Sequence, residues 1–251
     1  MSKAPTVTMD DALAATAPWR DRLLRGLTNS AAYEWLLRRA VTAWFLFLAF
    51  TMGTSLIERL GEIDIEAPGS IGVRGVADLL SRICMLLFFC LAAWLTLMRS
   101  QPLAKASGLR PRIAALVGVT LLFTIDSVAP RLQDPPAWLL FLSAGLILFG
   151  NILALYVLNR LGKSFSVMAE ARRLVTDGPY RIVRHPLYVT EGIAIVGIFL
   201  PYWSLQGALL FILLLAVQVI RMHYEEQVLR QTFPEYAEYA RRTWRVIPGV
   251  W

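Results

Sequence analysis

Long apolar runs are the feature that most limits how this chain can fold. Four stretches are nearly free of charge: Ala40–Ile57, Leu79–Met98, Ile113–Val128 and Trp138–Leu158. A helix that crosses a membrane needs about 20 mostly apolar residues, with a range of about 17 to 25. Only 17% of the residues are charged and 57% are hydrophobic, whereas soluble domains carry about 25% charged residues. The sequence therefore predicts an all-α polytopic membrane helix bundle and excludes a soluble or disordered chain.

A fifth apolar stretch, Leu187–Ile220, is too long for one span. Pro201 lies near its middle, and Tyr202 and Trp203 follow it. Proline breaks or kinks a helix, and these two aromatic residues are typical of the membrane interface. The stretch therefore predicts two short helices that meet at a tight turn. The expected architecture is about six transmembrane helices with a C-terminal helical hairpin and a cytoplasmic tail.

The positive charges are distributed unevenly along the chain. Lysines and arginines number 25 against 18 acidic residues, for a net charge of +7. When the predicted spans are drawn through a bilayer, 21 of these 25 cations fall on one side. The positive-inside rule makes that side cytoplasmic. We therefore expect a multi-pass protein with both termini in the cytoplasm. As its host we expect a bacterial inner membrane, which the charge distribution itself does not specify. Topology explains the basic excess, so no nucleic-acid partner is predicted.

Three segments organise the chain. Residues 1–39 form a cytoplasmic N-terminal segment, in which Pro18–Leu37 predicts an amphipathic helix on the membrane surface, with a mobile tail as the alternative. Residues 40–158 hold four transmembrane helices. Residues 159–251 hold a long polar loop, the hairpin and a C-terminal cap. The chain has only two histidines and two cysteines, and this composition predicts no metal site.

The polar chemistry lies in the last third of the chain. Pro186 is suited to the first turn of a helix, so Arg184 and His185 would stand at its mouth. If the helix already begins at Arg184, then Arg184, Tyr188 and Glu191 share one face. A carboxylate inside the membrane needs a partner, and Arg184 is one candidate for Glu191. The cluster would then be part of a ligand pocket, or else a structural ion pair near the interface.

Two adjacent acids, Glu225 and Glu226, follow the hairpin. Neighbouring side chains on a helix point about 100° apart. One carboxylate can therefore face a pocket while the other pairs with a basic residue; a solvated run of charge is the alternative. Further on, Tyr236 and Tyr239 are three residues apart and can share one helix face, either in the site or as interfacial anchors.

Three motifs in this region resemble a known family. They are LGKSFS at 161–166, GPYRIVRHPLY at 178–188 and EEQVLRQTFPEYAEYARRTWRVIP at 225–248. In this order and spacing they resemble the membrane-embedded isoprenylcysteine carboxyl methyltransferase family and the related phospholipid methyltransferases. The resemblance covers about a third of the chain, so residues 159–251 would be a methyltransferase core.

The resemblance implies S-adenosylmethionine as the methyl donor. It also implies which residues bind this cofactor: Gly178, Tyr180, His185, Pro186, Tyr188, Glu225 and Glu226. As catalytic residues we expect Arg184, which can orient an acceptor carboxylate, and Glu191. An amine or hydroxyl acceptor would require a base, and Glu191, His185 and His223 are the available groups.

The resulting hypothesis is an integral membrane methyltransferase that acts on a lipid-like or small acceptor reached from the bilayer. An isoprenylcysteine-type carboxylate is one such acceptor, but the sequence leaves the nucleophile open. Two other functions stay open on the sequence alone. One is a non-enzymatic membrane scaffold or small transporter. The other is a membrane reductase with a related hairpin.

Overall fold

The structure is a computed structural model that describes residues 31–61, 73–106 and 108–250. Helices account for most of these residues. In chain order they are α1 (Ala31–Gly61), α2 (Val73–Met98), α3 (Arg110–Thr120), α4 (Ile125–Val128), α5 (Ala137–Leu161), α6 (Pro186–Phe199), α7 (Leu205–Thr232) and α8 (Tyr236–Arg242). The first 30 residues, which hold most of the predicted surface helix at Pro18–Leu37, lie outside the described ranges.

Four helices are long and apolar enough to cross a membrane. The segments that qualify are Trp35–Gly61, Asp78–Met98, Ala137–Ser164 and Leu205–Thr232. Pro186–Tyr202 is a shorter apolar segment. The helices expose large apolar side chains on their outer faces, as Phe50 and Leu209 do, which is the pattern that contact with lipid produces. These features confirm the predicted all-α, multi-pass architecture, whereas the count of six spans remains a prediction.

The third predicted span, Ile113–Val128, is not one continuous helix. It divides into α3, a 3-10 turn at Leu121–Thr124 and α4. Threonine hydroxyls account for the interruption in part: Thr120 Oγ1 donates to the Leu116 carbonyl at 2.8 Å and Thr124 Oγ1 to the Leu121 carbonyl at 2.7 Å. Such bonds within the helix compete with its regular ladder and bend it. The prediction of a single helix here was wrong.

Pro201 separates α6 from α7, as its position predicts. A 3-10 turn at Leu200–Tyr202 joins the two helices. Ser204 then caps α7, since its Oγ accepts from the Gly207 amide at 3.1 Å. The helix α7 is 28 residues long, much longer than the predicted second arm of the hairpin. It continues without a break through the paired glutamates and carries them away from the apolar region.

Glycines let α5 and α6 cross at very short range. A Cβ atom added at Gly150 would lie 2.7 Å from the Ala194 amide nitrogen, and one at Gly197 would lie 2.7 Å from the Ser143 carbonyl oxygen. The Ser143 hydroxyl donates to the Gly197 carbonyl at 2.7 Å in the same crossing. Backbones approach this closely only where small residues meet. The crossing fixes the position of α6 and of the motif residues at its start.

Two short strands tie the connecting loops together. The strand β1 (Ala104–Lys105) follows α2 and pairs antiparallel with β2 (Glu170–Ala171), which follows α5. Beside this pairing, Phe45 of α1, Phe89 of α2 and Phe165 pack with one another in the largest buried apolar cluster. The loop that precedes the GPYRIVRHPLY motif is therefore anchored to the helix bundle.

Candidate functional site

Arg184 and His185 lie outside any helix or strand. The helix α6 begins at Pro186, so these two residues lie before it. The Arg184 amide donates to the Trp244 carbonyl at 2.8 Å, and the His185 amide donates to the Arg245 carbonyl at 3.1 Å. The segment after α8 is thus paired with the start of α6. The predicted shared face of Arg184, Tyr188 and Glu191 depended on a helix that began at Arg184, and this condition is not met.

Glu226 is the centre of an ion-pair cluster. Its Oε1 atom lies 3.2 Å from Arg184 Nε, 3.0 Å from His185 Nε2 and 3.0 Å from Arg245 Nε. Its Oε2 atom lies 3.5 Å from Arg230 Nη2. The residue is 5% exposed. A buried carboxylate is stable only when it is paired and hydrogen-bonded, and here one oxygen binds donors from the start of α6 and from the C-terminal segment.

Arg184 connects this cluster to the cap, by which we mean residues 236–245. Its Nη1 atom donates to the Ala240 carbonyl at 2.7 Å and also to the Thr243 carbonyl. The guanidinium is therefore occupied by Glu226 and by the two carbonyls. These contacts give Arg184 the geometry of a clamp between α7 and the cap.

Glu225 points in a different direction from Glu226. It accepts the Tyr188 hydroxyl proton in a hydrogen bond, and its Oε2 atom lies 3.9 Å from His185 Nδ1. The His185 and Tyr188 rings meet edge to face, with centroids 5.5 Å apart. The spacing argument thus held: one acid contacts the basic cluster, and the other faces the aromatic side chains of the motif.

Glu191 has a different partner from the one predicted. Its Oε2 atom accepts from Gln218 Nε2 at 3.3 Å, and Gln218 Oε1 accepts from Arg221 Nη1 at 2.8 Å. The Arg221 guanidinium lies over the Tyr188 ring, 5.2 Å from its centroid. Arg184 is held elsewhere, so it does not pair with Glu191. The polar track from Glu191 to Arg221 runs along the facing sides of α6 and α7.

The cap contributes two tyrosines. Tyr236 is fully buried, and its ring meets that of Tyr239 with centroids 5.8 Å apart, so the two share a face as predicted. Tyr239 donates its hydroxyl proton to the Tyr180 carbonyl at 2.8 Å. Burial raises the pKa of Tyr239 to about 12 and moves the pKa values of Tyr180 and Tyr236 upward as well. All three phenols therefore stay neutral at physiological pH.

These groups surround a cavity of about 250 Å³. Part of its wall is polar and aromatic, formed by Tyr180, His185, Tyr188, Glu225, Tyr236 and Tyr239. Another part is apolar, with Phe45 and Leu48 of α1, Phe88 of α2 and Leu214 of α7. The predicted site residues Gly178, Pro186 and Glu226 do not line it. Gly178 has a φ of +59°, a conformation that suits glycine, and it starts the 3-10 turn that carries Tyr180.

Sequence reasoning missed several polar residues of the cavity wall. Asn151 and Gln218 line it from α5 and α7, and a lone amide in an apolar run is the signal that marks such positions. Glu170 and Arg172 also line it, and their charges meet at 2.6 Å. Glu170 begins β2 and Arg172 directly follows it, and a separation of two residues places side chains on the same face of an extended segment.

The described residues contain no group of three His, Cys, Asp or Glu side chains able to hold a metal ion.

The region around the cavity is similar to a known protein family. Residues 138–236 match the model of the phospholipid methyltransferase family. This region is therefore similar to that family. The match begins in α5, includes the GPYRIVRHPLY motif and both glutamates, and ends at the first residue of α8. The matched residues therefore include most of the polar cavity wall.

The chain is also similar to individual proteins from three organisms. The chain is 39% identical over 84 residues to the nickel-cobalt-cadmium resistance protein NccN of Alcaligenes xylosoxydans xylosoxydans, and 44% identical over 80 residues to the cobalt-zinc-cadmium resistance protein CzcN of Cupriavidus metallidurans. It is 32% identical over 120 residues to protein-S-isoprenylcysteine O-methyltransferase B of Arabidopsis thaliana.

These matches cover 32%, 31% and 45% of this chain. They span 38% and 36% of the two resistance proteins and 61% of the plant methyltransferase.

Proposed function

We propose that this protein is an integral membrane methyltransferase that uses S-adenosylmethionine to methylate a lipid-like or small acceptor. One observation carries the proposal. A single cavity has a wall of charged and aromatic motif side chains, among them His185, Tyr188 and Glu225, and a wall of apolar side chains from α1 and α2. Such a cavity suits a reaction between a polar cofactor and a greasy acceptor, since each wall matches one of them.

The donors and acceptors of the polar wall fit the cofactor. A carboxylate such as Glu225 suits an ammonium group or ribose hydroxyls. The rings of Tyr180, Tyr188 and Tyr236 suit adenine stacking and the attraction of a cation to an aromatic face. Glu225, His185 and Tyr188 would hold the cofactor, and Gly178, Tyr180 and Pro186 would shape and close the pocket. When bound, S-adenosylmethionine supplies an activated methyl group on a sulfonium centre.

The chain's own residues would mainly position the reactants. Methyl transfer is an in-line displacement, and positioning alone can contribute about 7 to 11 kcal/mol. Asn151 and Glu191 are polar residues within the apolar helices α5 and α6, and both line the cavity. A carboxylate acceptor would need no base, whereas an amine or hydroxyl acceptor would lose a proton, and Glu191 is the group we assign to receive it.

The proposal includes a location. The acceptor would enter from the bilayer, and both termini would lie in the cytoplasm, as the charge asymmetry indicates. The host membrane would be a bacterial inner membrane, which agrees with relatives from Alcaligenes and Cupriavidus.

Calorimetric titration of S-adenosylmethionine into the purified protein in detergent tests the proposal. We expect the wild type to bind, and Glu225→Ala and His185→Ala to bind much more weakly. Glu235→Gln is the matched control, because Glu235 is an exposed acid ten residues further along. Absence of binding by a folded wild type would refute the proposal. Membranes supplied with methyl-labelled cofactor would then identify the acceptor through its labelled product.

A further inference from the structure

The two adjacent glutamates have unequal access to the cavity. Glu225 lines it, and 25% of its side chain is exposed. Glu226 does not line it, and its Oε1 atom is already within 3.2 Å of three nitrogen atoms, on Arg184, His185 and Arg245. A carboxylate oxygen accepts only a few hydrogen bonds. Glu226 therefore has little capacity left for a ligand, and its contacts point inward to the protein.

One of these contacts determines the state of His185. The Nε2 atom of the imidazole lies 3.0 Å from Glu226 Oε1, which is a normal hydrogen-bond length. A carboxylate that binds guanidinium groups is ionised and can only accept, so Nε2 must carry the proton of this bond. Arg184 and Arg245 bring two positive charges to the single negative charge of Glu226. A third positive charge on the ring would add repulsion, so the neutral ring that donates from Nε2 is the form that fits this cluster.

The other ring nitrogen then has a free lone pair. His185 Nδ1 lies 3.9 Å from Glu225 Oε2, too far for a direct hydrogen bond. Both residues line the cavity. An imidazole lone pair and a carboxylate side by side form a pair of acceptors, and together they match a ligand group with at least two N–H or O–H hydrogens. An ammonium group has this chemistry, as does a pair of ribose hydroxyls.

We propose that Glu226 is a positioning residue: it holds His185 as the neutral tautomer protonated on Nε2, so that Nδ1 and Glu225 together accept hydrogen bonds from a ligand in the cavity. In proteins, the hydrogen bond made by one imidazole nitrogen generally sets which of the two nitrogens carries the proton and which can bind a ligand. The tautomer is a property of the protein alone. Its use toward S-adenosylmethionine rests on the function proposed above.

Nitrogen-15 NMR tests this directly, because the chain has only two histidines. Full-length protein labelled with ¹⁵N-histidine in detergent gives two imidazole patterns, and the exposed His223 is assigned by its loss in His223→Gln. At pH 7 we expect His185 to show a protonated Nε2 and an unprotonated Nδ1. A ring protonated on Nδ1 alone, or on both nitrogens, would overturn the proposal.

Two variants separate Glu226 from its neighbour. Glu226→Gln keeps a carbonyl acceptor and is expected to keep the Nε2 proton, whereas Glu226→Leu should give a mixture of both tautomers. Glu225→Gln is the matched control and should leave the Nε2 proton in place. If Glu226→Leu fails to fold, the spectra of the wild type and of Glu226→Gln still show which His185 nitrogen carries the proton.

Addition of S-adenosylmethionine provides the second readout. We expect the Nδ1 resonance of His185 to shift as it accepts a hydrogen bond, and the resonances of His223 to remain in place. A single Nε2 tautomer with no cofactor response would leave the positioning role intact and count against the proposed function. A cofactor response from a ring protonated on Nδ1 would count against the positioning role alone.

Discussion

Arg184 and Glu226 stand 42 positions apart in the sequence, and Arg184 Nε donates to Glu226 Oε1 across 3.2 Å. The same guanidinium donates to two carbonyls of the cap, those of Ala240 and Thr243. One side chain therefore joins the start of α6, the end of α7 and the cap. The side chains of Arg184 and Glu226 are 13% and 7% exposed, so water replaces little of this contact if it is broken.

Replacement of Arg184 by glutamine should release the cap. The variant loses one donor to Glu226 and the bonds to two cap carbonyls, and a hydrogen bond that involves a charged group contributes about 1.5 to 3 kcal/mol. We expect a clear fall in the thermal unfolding midpoint in detergent and faster proteolysis within residues 236–245. Arg181→Gln is the control, since Arg181 is an exposed arginine three residues earlier. Equal behaviour of the two variants would show that Arg184 does not hold the cap.

The arrangement around Arg184 marks the limit of what local sequence patterns predict. The apolar runs, the break at Pro201 and the divergence of Glu225 from Glu226 follow from helix periodicity and proline chemistry, and the structure agrees with each. The partner of Glu191 depended on whether a helix began at Arg184 or at Pro186. Residues distant in sequence hold this segment outside the helix, because the Trp244 and Arg245 carbonyls accept hydrogen bonds from the Arg184 and His185 amides.

Other features of the site depend on tertiary packing in the same way. The interruption of the third predicted span by Leu121–Thr124 leaves no strong mark in an apolar sequence. The hydrogen bond between Glu191 and Gln218 joins two helices whose relative rotation no local pattern fixes. The motif resemblance identified residues of the polar wall, but the fold was needed to show that one of them, Arg184, also binds the cap.

The close crossing of α5 and α6 predicts a steric effect at Gly150. In Gly150→Ala the new methyl group would meet the Ala194 amide nitrogen at 2.7 Å and the Thr190 carbonyl oxygen at 2.8 Å. Both are backbone atoms that cannot yield without moving a helix, so we expect a loss of about 1 to 3 kcal/mol, as overpacking typically causes. Thermal unfolding in detergent measures the loss.

Gly145→Ala provides the matched control for that experiment. It lies on the same helix, and a Cβ atom there meets nothing within 4 Å. Alanine is the better helix former, so this variant should be neutral or slightly stabilised. If Gly150→Ala matched it, the close approach of the two helices would be disproved.

The Tyr239 phenol should ionise at an unusually high pH. Burial raises its pKa to about 12, compared with about 10 for a free tyrosine. Because the folded form resists losing this proton, the unfolded chain binds fewer protons above pH 10, and stability should fall as the pH rises through the interval from 10 to 12. Ultraviolet titration of the wild type minus Tyr239→Phe should isolate one phenol with a midpoint near 12. A midpoint near 10 would show that the cap leaves this hydroxyl in water.

Glu191→Gln should distinguish the kinds of acceptor. Glutamine has nearly the shape of glutamate and can still accept from Gln218, but it cannot take up a proton.

Probes with one common tail, namely oleylamine, oleyl alcohol and oleate, differ only in the head group that receives the methyl group. For the amine or the alcohol we expect turnover to fall about 100-fold or more, the usual contribution of a general base. For oleate, which is already a nucleophile, we expect a change of less than about threefold, because the bond from Gln218 is kept and weakening it by about 0.5 kcal/mol has only that effect. Calorimetry of cofactor binding should give similar affinities for variant and wild type, which separates a role in proton transfer from damage to the cofactor pocket. Equal losses of turnover on all accepted probes would assign Glu191 to the structure of the cavity instead.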